Sequence, residues 1–111
     1  MALSDSLSLN DEERAFHAQP RFSIMYLLFL KRRIGFIELQ KLLGLTPGNL
    51  DHHMKKLEEM NLIHSHRVIS WRPLVTLEIT AHGSEIFREF ILKMKTLLKE
   101  IPEKMLKEPG I

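Results

Sequence analysis

A mainly α-helical fold with one small β-hairpin is predicted by three features of the chain. Residues 36–61 read as two short helices joined by a tight turn, residues 62–79 change to the alternation of paired strands, and residues 80–101 return to a long helical period. All three fit one domain, because 111 residues are enough for a modest core and too few for two. An apolar content of 44% and a charged content of 27% are ordinary for a folded soluble protein.

Residues 1–9 are Ser-rich and mixed and are expected to form a flexible N-terminus, with the folded domain spanning 10–101. Asn10 offers a cap, Asp11, Glu12 and Glu13 put negative charge in a first turn, and Glu13 stands where a capping box needs it. A short helix from about Asp11 to Ala18 follows, and Pro20 ends it or starts the next. The run RFSIMYLLFLKRR, Arg21 to Arg33, is apolar on more than one face: Ile24, Leu27 and Leu28 make one stripe, Met25, Phe29 and Phe22 another. Such a helix needs two partners. One is its own core, and the other is either a second subunit or the remainder of a small domain wrapped around it. Lys31, Arg32 and Arg33 complement the dipole at the helix end, and Gly35 is expected to break the helix.

In FIELQKLLGLTPGNLDHHMKKLEEMNLI, Phe36 to Ile63, the residues Phe36, Leu39, Leu42 and Leu43 give a short helix one apolar face. Gly44, lacking a Cβ, is a ready left-handed stop. Thr46 can accept an orphan backbone N–H, and Pro47 suits the first helical position, so a second helix starts at once. Within it Leu50, Met54 and Leu57 form the buried stripe, while Gly48, His52, Lys55 and Glu59 fall on another face. Two short helices about a glycine-containing turn fit the helix-turn-helix signature, and that second face is the one a major groove would meet.

Asn61 is a good left-handed residue to end the second helix. Beyond it Ile63, Ser65 and Arg67 alternate with His64, His66 and Val68, and Val75, Leu77 and Ile79 alternate with Thr76 and Glu78. Two strands turning through about Ser70 to Pro73 are the natural reading. Thr80 then caps a helix that runs to Pro102. Phe87, Phe90, Met94, Leu97 and Ile101 recur at three- and four-residue steps, a coiled-coil pattern widened by Ile86, Ile91 and Leu98. A symmetric homodimer is expected, with Ile24, Leu28, Phe87, Phe90, Met94, Leu97 and Ile101 at its interface. Residues 102–111 are left as a C-terminal tail.

The pattern FxxLxxLLGLTPGNLxxHxxKLExxNLI, carried by Phe36, Leu39, Leu42 to Leu50, His53, Lys56 to Glu58 and Asn61 to Ile63, resembles the DNA-binding core of prokaryotic winged-helix transcription regulators of the MarR and ArsR kind. RPLVTLEITAHG, Arg72 to Gly83, is similar to the way such families leave the wing for the last helix. The resemblance implies a winged helix-turn-helix whose hairpin is the wing and whose long last helix serves dimerisation. It also implies double-stranded DNA as partner, a dimeric repressor that blocks a promoter at a two-fold symmetric site, and the second helix in the major groove. On that reading Thr46, Pro47, Gly48, Asn49, His52, Lys55 and Lys56 are the candidate contacts. Gly48 permits close approach, Asn49 can bridge a base edge, His52 can donate, and the lysines neutralise phosphate. In the wing, Arg67, Trp71 and Arg72 could reach the backbone or the minor groove, the alternative for Trp71 being a ring folded back on the base of the wing.

A formal charge of +2 and a pI near 9.0 permit a nucleic-acid partner without demanding one. From Pro47 to Met60 two lysines stand against Asp51, Glu58 and Glu59, with no arginine for bidentate guanine contact. That deficit favours a rival reading, a winged helix kept as a protein-protein interaction module. The chain has no cysteine, which excludes disulfides and thiolate sites. The N-terminus has no basic segment followed by a long apolar one, so a cytoplasmic protein without membrane contact is expected. His52 with His53 and His64 with His66 are pairs too weak as motifs to predict a metal, and no cofactor is expected. No nucleophile elbow, phosphate-binding glycine loop or metal-hydrolase signature suggests an enzyme. A pocket for a small-molecule effector between the Arg21 helix and the last helix is compatible with the regulator reading.

Overall fold

The computed structural model describes residues 8–69, 71 and 74–107. Helix α1 (Asp11–Arg14) is followed by a 3-10 turn (Ala15–His17), α2 (Gln19–Lys31), β1 (Arg33–Gly35), α3 (Phe36–Leu43), α4 (Pro47–Glu59), β2 (Ile63–Val68), β3 (Leu74–Ile79), α5 (Ala81–Lys99) and α6 (Glu103–Lys107). The three strands form an antiparallel sheet in the order β1-β3-β2.

The expected capping box is present: Asn10 Oδ1 accepts from the Glu13 N–H at 2.8 Å, and Glu13 Oε1 accepts from the Asn10 N–H at 3.1 Å. The helix does not continue to Ala18, however. After Arg14 the backbone tightens into the 3-10 turn, which places the buried Phe16 ring 5.3 Å from Phe87 and 5.1 Å from Phe90. Side-chain packing, invisible to local propensity, sets that boundary.

The break expected at Gly35 occurs three residues earlier. Arg32 takes a φ of 67° and its N–H bonds the Leu28 carbonyl at 2.7 Å, so the chain reverses on a non-glycine residue. Gly35 instead has a φ of −66° and precedes α3. The residues between them form β1, with Arg33 opposite Glu78 and Gly35 opposite Thr76. The expected two-stranded wing is therefore one side of a three-stranded sheet. Three residues are too few to show a strand period, and only pairing with β3 makes them one.

The helix-turn-helix forms as its turn residues require. Gly44 has a φ of 65°, the left-handed stop, and Thr46 Oγ1 accepts from the Asn49 N–H at 3.1 Å at the start of α4. Asn61, at a φ of 59°, ends α4 and leads into β2. Thr80 then ties the sheet to α5: its hydroxyl donates to the Asn61 carbonyl at 2.7 Å and accepts from the Gly83 N–H at 2.7 Å.

Helix α2 is the centre of the core. Ile24, Met25 and Leu28 are fully buried against Leu39, Leu50, Leu57, Leu62, Leu77 and Phe87. This corrects part of the expected dimer seam. Ile24, Leu28, Phe87 and Phe90 lie in the chain's own core, because the N-terminal arm, the sheet, α4 and α5 together wrap both apolar faces of α2. Met94 and Leu97 are only half-buried and Ile101 is exposed. The apolar repeat of α5 begins inside the protomer and runs out of it, along a particle 56 Å in its longest dimension.

One ion pair sits inside this packing. Lys93 Nζ lies 2.6 Å from Oε1 of Glu13, a fully buried carboxylate whose other oxygen has no partner among the described residues. It joins the N-terminal arm to α5, beside the surface contact between Glu12 and His82.

Candidate nucleic-acid interface

Helix α4 buries Leu50, Met54 and Leu57 and turns Gly48, Asn49, His52, Lys55, Lys56 and Glu59 to solvent. Thr46 and Pro47, at the capped N-terminal turn, are also exposed. The helix thus divides cleanly into a core stripe and an outward face, as its 3.6-residue period dictates.

The negative charges counted along α4 are not spread evenly around it. Glu58 Oε2 accepts from the Ser65 hydroxyl of β2 at 3.1 Å, so that flank faces the sheet. Asp51, two turns earlier and on the same flank, holds Lys55 at 2.9 Å in an i, i+4 pair. On the opposite flank lie Asn49, His53 and Lys56, one helical turn apart. Two of the three acids therefore lie on the sheet side, and the third, Glu59, is on the outward face.

His53 is half-buried beside α2, where Nη1 of Arg21 stands 3.3 Å from its Nδ1. A guanidinium can only donate, so Nδ1 accepts and the ring proton resides on Nε2. Burial holds the pKa of His53 below its ordinary value of 6.5, and the charges of Arg21 and His52 add to the effect. The imidazole is neutral at pH 7. Arg21 is itself anchored, its Nε donating to the Ala15 carbonyl at 2.8 Å. Sequence reading missed this residue as a neighbour of α4. The two partners are 32 positions apart, and only packing brings them together.

In the wing, Arg67 is exposed, and Trp71 is 92% exposed, which removes the alternative that its ring folds back on the base of the wing. Val68, Ile69 and Leu74 beside it are also exposed, giving the far end of the hairpin an apolar character. The expectation for Arg72 lies outside the described residues. On the outer face of the sheet, Glu78 receives two hydrogen bonds from Arg33, at 2.6 and 3.1 Å, and faces His66 at 3.4 Å. The hydrogen bonds from Arg33 first, then its charge and the contact with His66, hold the Glu78 carboxyl below the usual carboxylate range. His64 and His66 lie with ring centroids 6.3 Å apart, but the carboxylate facing them is engaged by arginine.

The space expected for an effector is a shallow apolar groove of about 400 Å³ between Phe22 of α2 and Phe90, Ile91, Met94, Lys95 and Leu98 of α5. A larger groove, about 710 Å³, opens between Phe36, Ile37 and Glu38 of α3, Pro47 and the β3 residues Leu74 to Thr76.

Residues 21–98 match the model of the winged helix DNA-binding domain family. The chain belongs to that family. The match takes in the helix-turn-helix, the wing and nearly all of α5, so it runs beyond residues 36–63 and 72–83, which carry the resemblance, to most of the domain. The chain is 35% identical over 89 residues to an uncharacterized protein of Methanocaldococcus jannaschii, covering 79% of this chain and 97% of that one. Among solved structures, it is 36% identical to a transcriptional regulator homologue of Pyrococcus horikoshii, with a TM-score of 0.74 over 78% of this chain and 86% of the other. A transcriptional regulator of Thermotoga maritima shares the fold at 22% identity and a TM-score of 0.56, over 79% of this chain and 65% of that one. Among the described residues no helix is long and apolar enough to cross a membrane.

Proposed function

We propose that this winged helix domain is a transcription regulator acting as a symmetric dimer, each α4 entering the major groove of one half of a two-fold related site. The observation that carries the reading is the outward face of α4. Gly48, Asn49, His52, Lys55 and Lys56 are exposed behind a capped N-terminus, on a helix whose opposite stripe is fully buried. The 36% identity to the regulator homologue of P. horikoshii supports the regulatory role.

Dimerisation is supported by the outer half of α5. Leu98 is 59% exposed and shares the apolar groove beside Phe22 with Met94, and the repeat runs on from there through Leu97 and Ile101. Apolar surface left in water costs roughly 25 cal/mol per Å², and a second copy covers it by the same residues on both sides. The seam so placed lies further out than the repeat alone suggests: Met94, Leu97 and Ile101 belong to it, and Ile24, Leu28, Phe87 and Phe90 support it from within. Occlusion of a promoter by the bound dimer is the simplest mode of action for a domain of this size.

The test is selection of sheared genomic DNA on the purified protein, with the recovered fragments sequenced and the protein's mass followed by sedimentation. Enrichment of a two-fold symmetric sequence by a dimer is expected. Lys56→Ala should weaken that binding more than Lys55→Ala, since Lys55 already holds Asp51. Leu98→Glu should yield a folded monomer that binds poorly. Recovery of random fragments only would remove the site-specific regulator, and an undisturbed dimer in Leu98→Glu would remove the seam.

A further inference from the structure

The deficit of positive charge on α4 is offset by a residue from another element. Arg21, in the first turn of α2, stands at the flank of α4 that carries Asn49, His53 and Lys56. That first turn also packs near the turn of the helix-turn-helix, where Gln19, Pro20 and Ser23 share a cleft with Leu43 and Leu45. The turn leads directly into the N-terminus of α4, and the flank of α4 that Arg21 meets at His53 carries the exposed Asn49 and Lys56, which border the outward face.

The guanidinium is held at two points. Its Nε donates to the Ala15 carbonyl at 2.8 Å and its Nη1 to His53 Nδ1 at 3.3 Å. An arginine has five N–H donors, so three remain after these two bonds. Among the described residues no carboxylate lies within ion-pair distance of Arg21, whereas Lys55 and Arg33 are both engaged by acids. Of the three acids of α4, Glu59 lies on the outward face and the other two are engaged elsewhere. Glu58 is bonded to Ser65 on the far flank, and Asp51 to Lys55. His53, accepting through Nδ1, leaves its Nε2–H as a further donor on the same flank.

We infer that Arg21, oriented by the Ala15 carbonyl and His53, is a contact for a DNA backbone phosphate beside the major groove that α4 enters, with Lys56 on the same strand track. The inference rests on the DNA-binding reading of α4 and adds to it a contact outside the helix-turn-helix. A planar guanidinium fixed by two bonds presents its remaining N–H groups as a preformed fork, which suits a phosphate oxygen pair and loses little side-chain freedom on binding. Phosphate contacts position a protein on the duplex without reading bases, so Arg21 contributes affinity and register, not sequence choice. The arm residues that hold Ala15 in place, Phe16 and Glu13 among them, thereby also set the contact.

The experiment is a salt titration of binding to a short random-sequence duplex, followed by fluorescence anisotropy, for the intact chain and for Arg21→Gln and Arg21→Lys. Circular dichroism confirms folding of each. Each phosphate contact contributes about −0.9 to the slope of log K against log salt, so Arg21→Gln should flatten the slope by about 1 and weaken binding alike on every sequence. Arg21→Lys should keep the slope while binding more weakly, because it retains the charge and loses the fork. A merely structural role for Arg21 would lower affinity through the fraction of competent protein and leave the slope unchanged. A steep slope in the intact chain that Arg21→Gln does not alter would overturn this inference alone. A flat slope in the intact chain would overturn the DNA-binding reading beneath it.

Discussion

Gly83 stands in the first turn of α5, where replacing glycine by alanine ordinarily strengthens a helix by about 1 kcal/mol. The structure reverses the sign. A Cβ built on Gly83 would lie 2.8 Å from the carbonyl carbon of Leu62 and 3.0 Å from its Cα, and closer still to its oxygen. These are backbone atoms and cannot swing aside. To reach ordinary contact the start of α5 must part from Leu62, which carries the Thr80 N–H to Leu62 carbonyl bond at 3.1 Å and, at 3.2 Å, the weaker arm of the hydroxyl bond that Thr80 shares between the Asn61 and Leu62 carbonyls. Losing the two costs about 2 kcal/mol, and the displaced packing of Leu62 and Phe87 a further 1–3 kcal/mol or so, against the gain of about 1. Gly83→Ala should therefore lose roughly 2–4 kcal/mol. At about 4–8 °C per kcal/mol for a domain near this size, that is a fall in Tm of roughly 10 °C or more. Urea denaturation of the two proteins at equal concentration measures it. A Gly83→Ala protein as stable as the parent, or more so, would refute the close approach of α5 to Leu62 on which the reasoning stands.

The buried pair makes a second prediction. Lys93→Met removes the ion-pair partner of a carboxylate that is fully buried, and should cost about 3 kcal/mol in urea denaturation, whereas the double variant Glu13→Gln, Lys93→Met should recover most of the loss. If both proteins lose the same amount, the pair is not what holds the arm. A third concerns pH. Because the pKa of His53 is lowered on folding, its contribution is fully present above 6.5 and is lost as pH falls through the lowered value, so melting of the parent should decline below that pH and decline less in His53→Gln. Glu78 follows the same sign at lower pH: its contribution holds above its ordinary value of 4.5 and fades as pH falls through the lowered one, an effect that Glu78→Gln should erase. Matching pH profiles in parent and variant would exclude either residue as the source.

The parts of this protein legible in one dimension are those decided by neighbours in the chain. Gly44 stops α3, Thr46 and Pro47 start α4, Asn61 ends it and Thr80 starts α5, because each acts on backbone groups within a few residues. The 3.6-residue stripe of Leu50, Met54 and Leu57 likewise assigns the outward face of α4 from spacing alone. Periodicity says which residues seek apolar company, but not whose. Ile24, Leu28, Phe87 and Phe90 satisfied the pattern of a dimer seam and are occupied instead by their own chain, since a central helix wrapped on all sides carries the same signature as one that awaits a partner. The strand β1, the reversal at Arg32, the Glu13–Lys93 pair and the placing of Arg21 against His53 join residues far apart in the chain, and no local rule reaches across such separations. The sequence by itself determined the helix-turn-helix, the caps and the outward face of α4, because those follow from backbone chemistry and helical period. Only the tertiary structure decided which apolar surface is spent inside the protomer and how charge is sorted around α4, because both depend on what the folded chain brings alongside.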